Sequence, residues 1–248
     1  MALEKKNIVF FTGAGCSAAS GLPTFRGEGG IWNEIDAEAV ASKNAWYCGR
    51  RSDCNKRRQK VLDFFNPIRR KILELEPNEA HLWIAKTENL ANVTVITQNG
   101  DDFHKRAGSK CVIHLHGEAL MNCSTAHPRI PIEIDRNNPD IHIGDKGEDG
   151  SQIRPYVIFF DEELDKNNWR RAIDATKQAD YFVVVGSSLK VFPAVELLTM
   201  TKRECQIFVI DKEKIELPSL IPNKQIRYII GDATEGLAQF YDEIKISK

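Results

Sequence analysis

Five short apolar runs, each breaking off into Gly, Ser, Asn or Asp, constrain this chain more than any other feature. They are Asn7–Thr12 before Gly13-Ala14-Gly15, Val93–Ile96 before Thr97-Gln98-Asn99-Gly100, Tyr181–Val185 before Gly186-Ser187-Ser188, Ile207–Ile210 before Asp211, and Ile226–Ile230 before Gly231-Asp232-Ala233. Runs this short and this rich in Val, Ile and Phe read as buried strands of a parallel sheet. The residues that end them are those of tight strand-to-helix turns. The pattern predicts an α/β, doubly wound, Rossmann-like parallel sheet, in which ligands bind beyond the carboxyl ends of the strands.

The first turn, Gly13-Ala14-Gly15-Cys16-Ser17-Ala18, fits G-x-G-x-x-G/A. The first glycine permits the turn, the second lets a pyrophosphate approach the backbone, and a small third residue keeps the helix close to the sheet. Alone this motif is weak, because glycines also occur at plain strand–helix turns. The segment Ser20–Trp32 that follows is too rich in Gly for regular structure, yet carries Phe25, Arg26 and Trp32. It reads as a lid over a bound ligand. Glu34 and Asp36 stand where a Rossmann half carries its ribose-binding acid, but no strand precedes them. Asp211, at a strand end, is the better candidate.

Thr97–Gly117 (TQNGDDFHKRAGSKCVIHLHG) concentrates the reactive groups. Gln98, Asn99, Asp101 and His104 follow one strand, and His114 and His116 follow the run Cys111-Val112-Ile113. Two strands ending in Asn, Asp and His look like two sides of one reaction site, and imidazole moves protons near neutral pH. His116 is read as a base. His104, inside a helical turn, reads equally well as a site residue or as structural. His114 alternates with His116, points to the other face and reads as structural.

Composition narrows the setting. The chain has 248 residues, 42% hydrophobic and 28% charged, with a net charge of −1. These values suit a globular domain and argue against a dedicated nucleic-acid or membrane surface. No apolar run approaches membrane-spanning length, and the first residues lead into a strand rather than a signal segment, so a cytoplasmic protein is expected. The six cysteines form no CxxC pair and are expected to be reduced, buried and free of disulfides. Residues 37–76 are helical in spacing, with an apolar stripe of Val61, Leu62, Phe64, Phe65, Ile68, Ile72 and Leu73 interrupted by Pro67. Glu118–Gln152 is the least regular stretch. Its Cys123, His127 and His142 match a four-ligand zinc site poorly. The expected division is a Rossmann-like domain from 1–36, 78–120 and 153–248, with a small module from 37–77 and 121–152.

Taken together, GAGCSAASGLPTFRG, TQNGDDFH followed by HLHG, RPYVIFF and GSSLKVFPA resemble, in order and across almost the whole chain, the sirtuin family of NAD-dependent protein-lysine deacylases. The resemblance implies that Gly13, Ala14, Gly15, Ser17, Phe25, Arg26 and Trp32 line the NAD site. Gln98, Asn99 and Asp101 would hold nicotinamide and its ribose, and Gly186, Ser187, Ser188, Asp211, Lys212 and Ala233 the adenosine half. Asn99 and Asp101 would share the catalytic centre with His116, the general base on a ribose hydroxyl. The products would be free lysine and O-acyl-ADP-ribose. An acyl-lysine peptide would meet Ile158, Phe160, Asp161, Glu162 and Val191, adding as a strand beside Ile158–Phe160. A protein ADP-ribosyltransferase or NAD hydrolase on the same fold is the alternative.

Two departures stand out. Most of the family holds zinc with two CxxC pairs, of which this chain keeps only Cys123, so zinc is not expected. The family's Phe-Gly-Glu is here Phe160-Asp161-Glu162, which places a charged side chain beside the peptide. Desuccinylating members carry Tyr-x-x-Arg in the helical module. Phe65 and Ile68 stand at those positions, so an acidic acyl group has no partner there.

Overall fold

The computed structural model describes residues 5–25, 30–49, 51–215 and 226–246, without the Trp32 side chain. In chain order the strands are β1 (Asn7–Thr12), β2 (Asn92–Thr97), β3 (Val112–His114), β4 (Gly117–Ser124), β5 (Ile132–Glu133), β6 (Ile153–Val157), β7 (Tyr181–Val185), β8 (Gln206–Asp211) and β9 (Ile226–Ile230). The α-helices are α1 (Ala14–Ser17), α2 (Ala37–Ala41), α3 (Lys43–Trp46), α4 (Cys54–Glu74), α5 (Glu79–Thr87), α6 (Phe103–Arg106), α7 (Lys166–Gln178) and α8 (Ala233–Ile246).

Six strands form one sheet in the order β3-β2-β1-β7-β8-β9, and every pairing in it is parallel. The chain order reverses between β1 and β7, which makes that junction the switch point where an open α/β sheet binds ligands. Thr12 pairs with both Thr97 and Val185, so Gly13, Gln98 and Gly186 emerge side by side at one end of the sheet. Alternate residues of each strand feed two cores. Val9, Phe11, Phe182, Val184, Ile207 and Val209 face one side with Ala172 of α7. Ile8, Phe10, Val183, Val185, Phe208 and Ile210 face the other with Ala80 of α5 and Phe240 of α8. Burial on both faces is why these strands read as unbroken apolar runs.

A smaller antiparallel sheet, β5-β4-β6, packs with α2, α3 and α4 around Trp46, Val61, Leu62, Ile72, Ala119, Leu120 and Phe159. Here the structure departs from the reading of the sequence. β4 is regular where irregular chain was expected from Glu118, because β6 supplies it with an antiparallel partner. The stretch 153–157 pairs with β4 and takes no place in the large sheet. α4 runs straight through Pro67, whose neighbour four residues earlier, Asp63, is exposed like Pro67 itself. Water can therefore satisfy the carbonyl that the missing N–H leaves.

The irregular chain after β4 is tied down by side chains. Asn66 both donates to the Ile141 carbonyl (2.9 Å) and accepts from its N–H (3.1 Å). Fully buried Arg69 donates to Pro139 O (2.7 Å), Met121 O (3.3 Å) and Asn122 Oδ1 (2.8 Å). Arg70 pairs with Asp140 and Arg136 with Asp102.

The expectation of no disulfide is overturned: Cys48 and Cys54 are bonded. The turn from α3 into α4 brings their Cα atoms within 5.4 Å. A spacing of six residues carries no motif, so only the fold reveals the pair.

Candidate active site

The β1–α1 turn is pressed flat against the end of β7. Gly13 N–H donates to the Val185 carbonyl (3.0 Å) and Gly15 N–H to that of Gly186 (2.9 Å). A Cβ on Gly13 would lie 2.7 Å from the Gly186 oxygen, and one on Gly15 2.7 Å from the Gly186 Cα. Gly186 itself has φ 56°. The glycines are therefore demanded by the packing of the two turns on each other, backbone against backbone, at the switch point.

Beside it lies a closed hydrogen-bond network. Buried Asn99 donates through Nδ2 to Gly13 O (3.0 Å) and Ser17 Oγ (3.1 Å). Ser17 Oγ–H in turn donates to Asp101 Oδ2 (2.8 Å), and Phe103 N–H donates to Asp101 Oδ1 (3.2 Å). Burial nonetheless lifts the Asp101 carboxyl from its ordinary 3.8 to about 6, against the lowering effect of those two donors. Below the network, Thr12 Oγ1 donates to Thr97 Oγ1 (2.8 Å), which also accepts from Asn99 N–H (3.0 Å). Nothing in the sequence marks these threonines beyond their place at the ends of β1 and β2.

His116 lies in the turn between β3 and β4, half-buried. Its Nδ1 is 3.2 Å from the Gln98 carbonyl, which can only accept, so the proton sits on Nδ1 and Nε2 keeps its lone pair. Burial holds the imidazole below its ordinary pKa, partly offset by that hydrogen bond. Gln98 is thus a hinge of the site, since its Oε1 also accepts from Ser187 Oγ (2.8 Å) on the β7 side. His114, the last residue of β3, is buried and bonds through Nδ1 to the Asn99 carbonyl (3.0 Å).

His104 is fully enclosed, with Nε2 3.0 Å from Thr12 Oγ1. It groups with Cys16 and His81 closely enough to suggest a metal. The fold already uses both rings: His81 accepts the Asn78 N–H at Nδ1, closing the N-terminus of α5, and His104 Nε2 meets Thr12 Oγ1. Burial holds both imidazoles neutral and raises the Cys16 thiol.

On the far side, Ser188 is exposed after buried Ser187, Asp211 closes β8 with its carboxyl raised by burial, Lys212 is exposed beside it, and Ala233 begins α8. Ala14 opens α1 and Phe25 is half-buried. Arg26 and the Trp32 side chain lie outside the described residues.

The outer wall begins where Ile158 N–H donates to the His116 carbonyl (2.9 Å). At Phe160 the backbone is already engaged: its N–H donates to Ala41 O and its carbonyl accepts from Lys43 N–H, both at 2.8 Å. Strand addition beside Phe160 therefore meets the chain's own segment, and what Phe160 offers a ligand is an exposed ring. Asp161 is exposed with φ 67°. Glu162, expected to meet the peptide, instead turns its carboxylate inward to the buried Arg154 of the RPYVIFF stretch. Val191 is half-buried and precedes the exposed Phe192.

Two glycine turns packed together at the switch point, a buried carboxyl beside them and an imidazole with a free nitrogen define a dinucleotide-dependent enzyme. Comparison with known proteins makes this specific. The Sir2 family sequence profile matches residues 13–193. An NAD-dependent protein deacylase of Bacteroides thetaiotaomicron is 36% identical over 237 residues, covering 94% of this chain and 96% of the relative. One of Helicobacter pylori (strain J99) is 40% identical over 206 residues, covering 83% and 82%. A solved Sir2 homologue in complex with NAD has a TM-score of 0.82 at 34% identity, covering 98% of this chain and 91% of its own. A Sir2 homologue variant bound to ADP-ribose reaches 0.84 at 33% identity, covering 98% and 94%. The chain belongs to the Sir2 family.

Proposed function

We infer that this chain removes acyl groups from protein lysine side chains at the expense of NAD. It is an NAD-dependent protein-lysine deacylase, and the observation that carries the reading is His116. Its one protonated nitrogen is spent on Gln98, leaving Nε2 as a base beside the Asn99–Ser17–Asp101 network.

The residues fit the cofactor. Gly13, Ala14, Gly15 and Gly186 bring backbone to the switch point, where a pyrophosphate binds, and Asp211 and Ser188 supply acceptors suited to ribose hydroxyls. Bound NAD would supply an activated ADP-ribosyl group with nicotinamide as leaving group. Asn99 and Asp101 orient what enters beside Ser17, and His116 accepts a proton at Nε2.

Lining residues favour an uncharged acyl group. Phe65 and Ile68 pack half-buried in the small module's core, while Arg69 and Arg70 turn to Pro139 and Asp140. The exposed carboxylate of Asp161 supports a preference for basic residues flanking the lysine. The division into a nucleotide-binding part (1–36, 78–120, 153–248) and a small module (37–77, 121–152) is part of this reading, with strand pairing favouring assignment of 153–157 to the module. A cytoplasmic setting suits an NAD enzyme, and the Cys48–Cys54 bond is the feature that argues against a permanently reducing one. No described helix is long and apolar enough to cross a membrane.

The test is product analysis. Purified protein incubated with NAD and an acetyl-lysine peptide is expected to yield nicotinamide, deacylated peptide and O-acetyl-ADP-ribose by mass spectrometry. ADP-ribosylated protein, or free ADP-ribose formed without peptide turnover, would replace this reading with the transferase or the hydrolase.

A further inference from the structure

The segment Phe159–Glu162 is clamped on both sides of its one left-handed residue. Before Asp161, the Phe160 N–H and carbonyl are both tied to the Ala41–Lys43 segment at 2.8 Å. After it, Glu162 is seized by a buried arginine: Arg154 Nη1 and Nη2 each donate to a separate carboxylate oxygen at 3.0 Å. The two side chains are 0% and 5% exposed, so this is a desolvated, fork-to-fork pair rather than a surface contact. Phe159 N–H donates to the same carboxylate (3.0 Å), and Glu162 N–H donates back to the Phe159 carbonyl (3.0 Å). Arg154 is itself immobilised, donating to Val157 O (3.1 Å) and Cys123 Sγ (3.4 Å), with its guanidinium 4.3 Å from the Phe159 ring centre.

Asp161 takes up the turn between these clamps at φ 67°, a region that L-residues adopt at a cost. Backbone outliers persist where the surroundings over-determine them, and they gather at ligand sites. This one lies three residues beyond Ile158, whose N–H is bonded to the carbonyl of His116.

We propose that Arg154 is a positioning residue for the acyl-lysine peptide: through Glu162 it holds Asp161 in the left-handed conformation that shapes the peptide side of the site. The proposal rests on the deacylase reading and adds to it a residue that touches neither cofactor nor substrate.

Arg154→Lys keeps the charge and loses the fork, and Glu162→Gln keeps the shape and loses the charge. Either is expected to raise the peptide KM about tenfold while the NAD KM stays within about twofold. Asp161→Gly, for which the left-handed region is free of strain, should restore the peptide KM in either background. Asp161→Ala removes the same charge without that freedom and should not. A parallel rise in both KM values, or no rescue by glycine, overturns the proposal.

Hydrogen exchange on the unliganded protein reads the clamp without substrate. Arg154→Lys should speed exchange at the amides of Phe160 and Glu162 at least about tenfold while the large sheet is unchanged. Unchanged protection there overturns the positioning claim. Failure of the wild type to turn over any acyl-lysine peptide overturns the functional reading instead, and leaves the exchange result standing. Should Arg154→Lys fail to fold, Glu162→Gln carries both measurements.

Discussion

Asp101 is ionised at neutral pH in a place that disfavours ionisation. Because its folded pKa (about 6) lies above the ordinary 3.8, the folded state holds the proton more tightly than the unfolded chain between those values. Stability from this group therefore falls as pH rises through that window, and the penalty is complete above about pH 6. At about 1.4 kcal/mol per pH unit it amounts to at most about 3 kcal/mol. Asp101→Asn, whose one amide oxygen can keep the Phe103 N–H while its Nδ2 donates to Ser17 Oγ, is expected to raise the melting temperature at pH 8, with a gain that shrinks as pH falls toward 5. Paired thermal melts across that range check it, and a pH-independent gain would mean that Asp101 does not titrate between pH 5 and 8. His116→Ala should leave NAD affinity within about threefold and lower acyl transfer by ~10²–10⁴-fold, as loss of a general base does. Calorimetry alongside steady-state rates separates the two effects. The acid limb of the wild-type kcat/KM profile should fall below the ordinary histidine pKa, because burial favours the neutral ring.

At the level of elements, Arg69 is to the irregular chain what a metal is elsewhere, one group holding several segments by directed bonds. Its guanidinium joins α4 to Pro139, Met121 and Asn122, and burial lowers its pKa to about 10. Arg69→Ala leaves three half-buried acceptors without their donor, a loss of up to about 1–3 kcal/mol each where water cannot reach them. Limited proteolysis should then cut first within 125–152, ahead of any cleavage in the large sheet. The central strands of that sheet were legible in sequence because burial on both faces leaves an unbroken apolar run, and Gly, Asn or Asp follows it. β4 and β6 were not, since Glu118–Ser124 and Ile153–Val157 signal a sheet only once paired with each other. At the site, His116, Asn99 and Asp101 stand out by residue type and strand position, whereas Ser17 enters only through the family resemblance. The inward turn of Glu162 and the engaged backbone of Phe160 could not, since they depend on Arg154 and on Ala41–Lys43, distant in sequence. The same holds for the Cys48–Cys54 bond, which a turn of the chain creates.

For the whole molecule, the most far-reaching feature is the position of β1. It is the first strand in the chain and lies inside the sheet, paired on one side with β2 and on the other with β7, whose residues begin at Tyr181. During synthesis, then, Asn7–Thr12 can find its first neighbour once residue 97 is free, and must wait for the second until 185 is. For that interval the ribosome carries an unpaired apolar edge of the sequence Ile-Val-Phe-Phe, a template for association with other chains. Nascent chains stalled just short of Tyr181 should crosslink to chaperones through Ile8–Phe11, and chains released past Asp211 should not. The strand order that places the catalytic floor at the centre of the fold thus makes the birth of this enzyme the stage at which it most needs company.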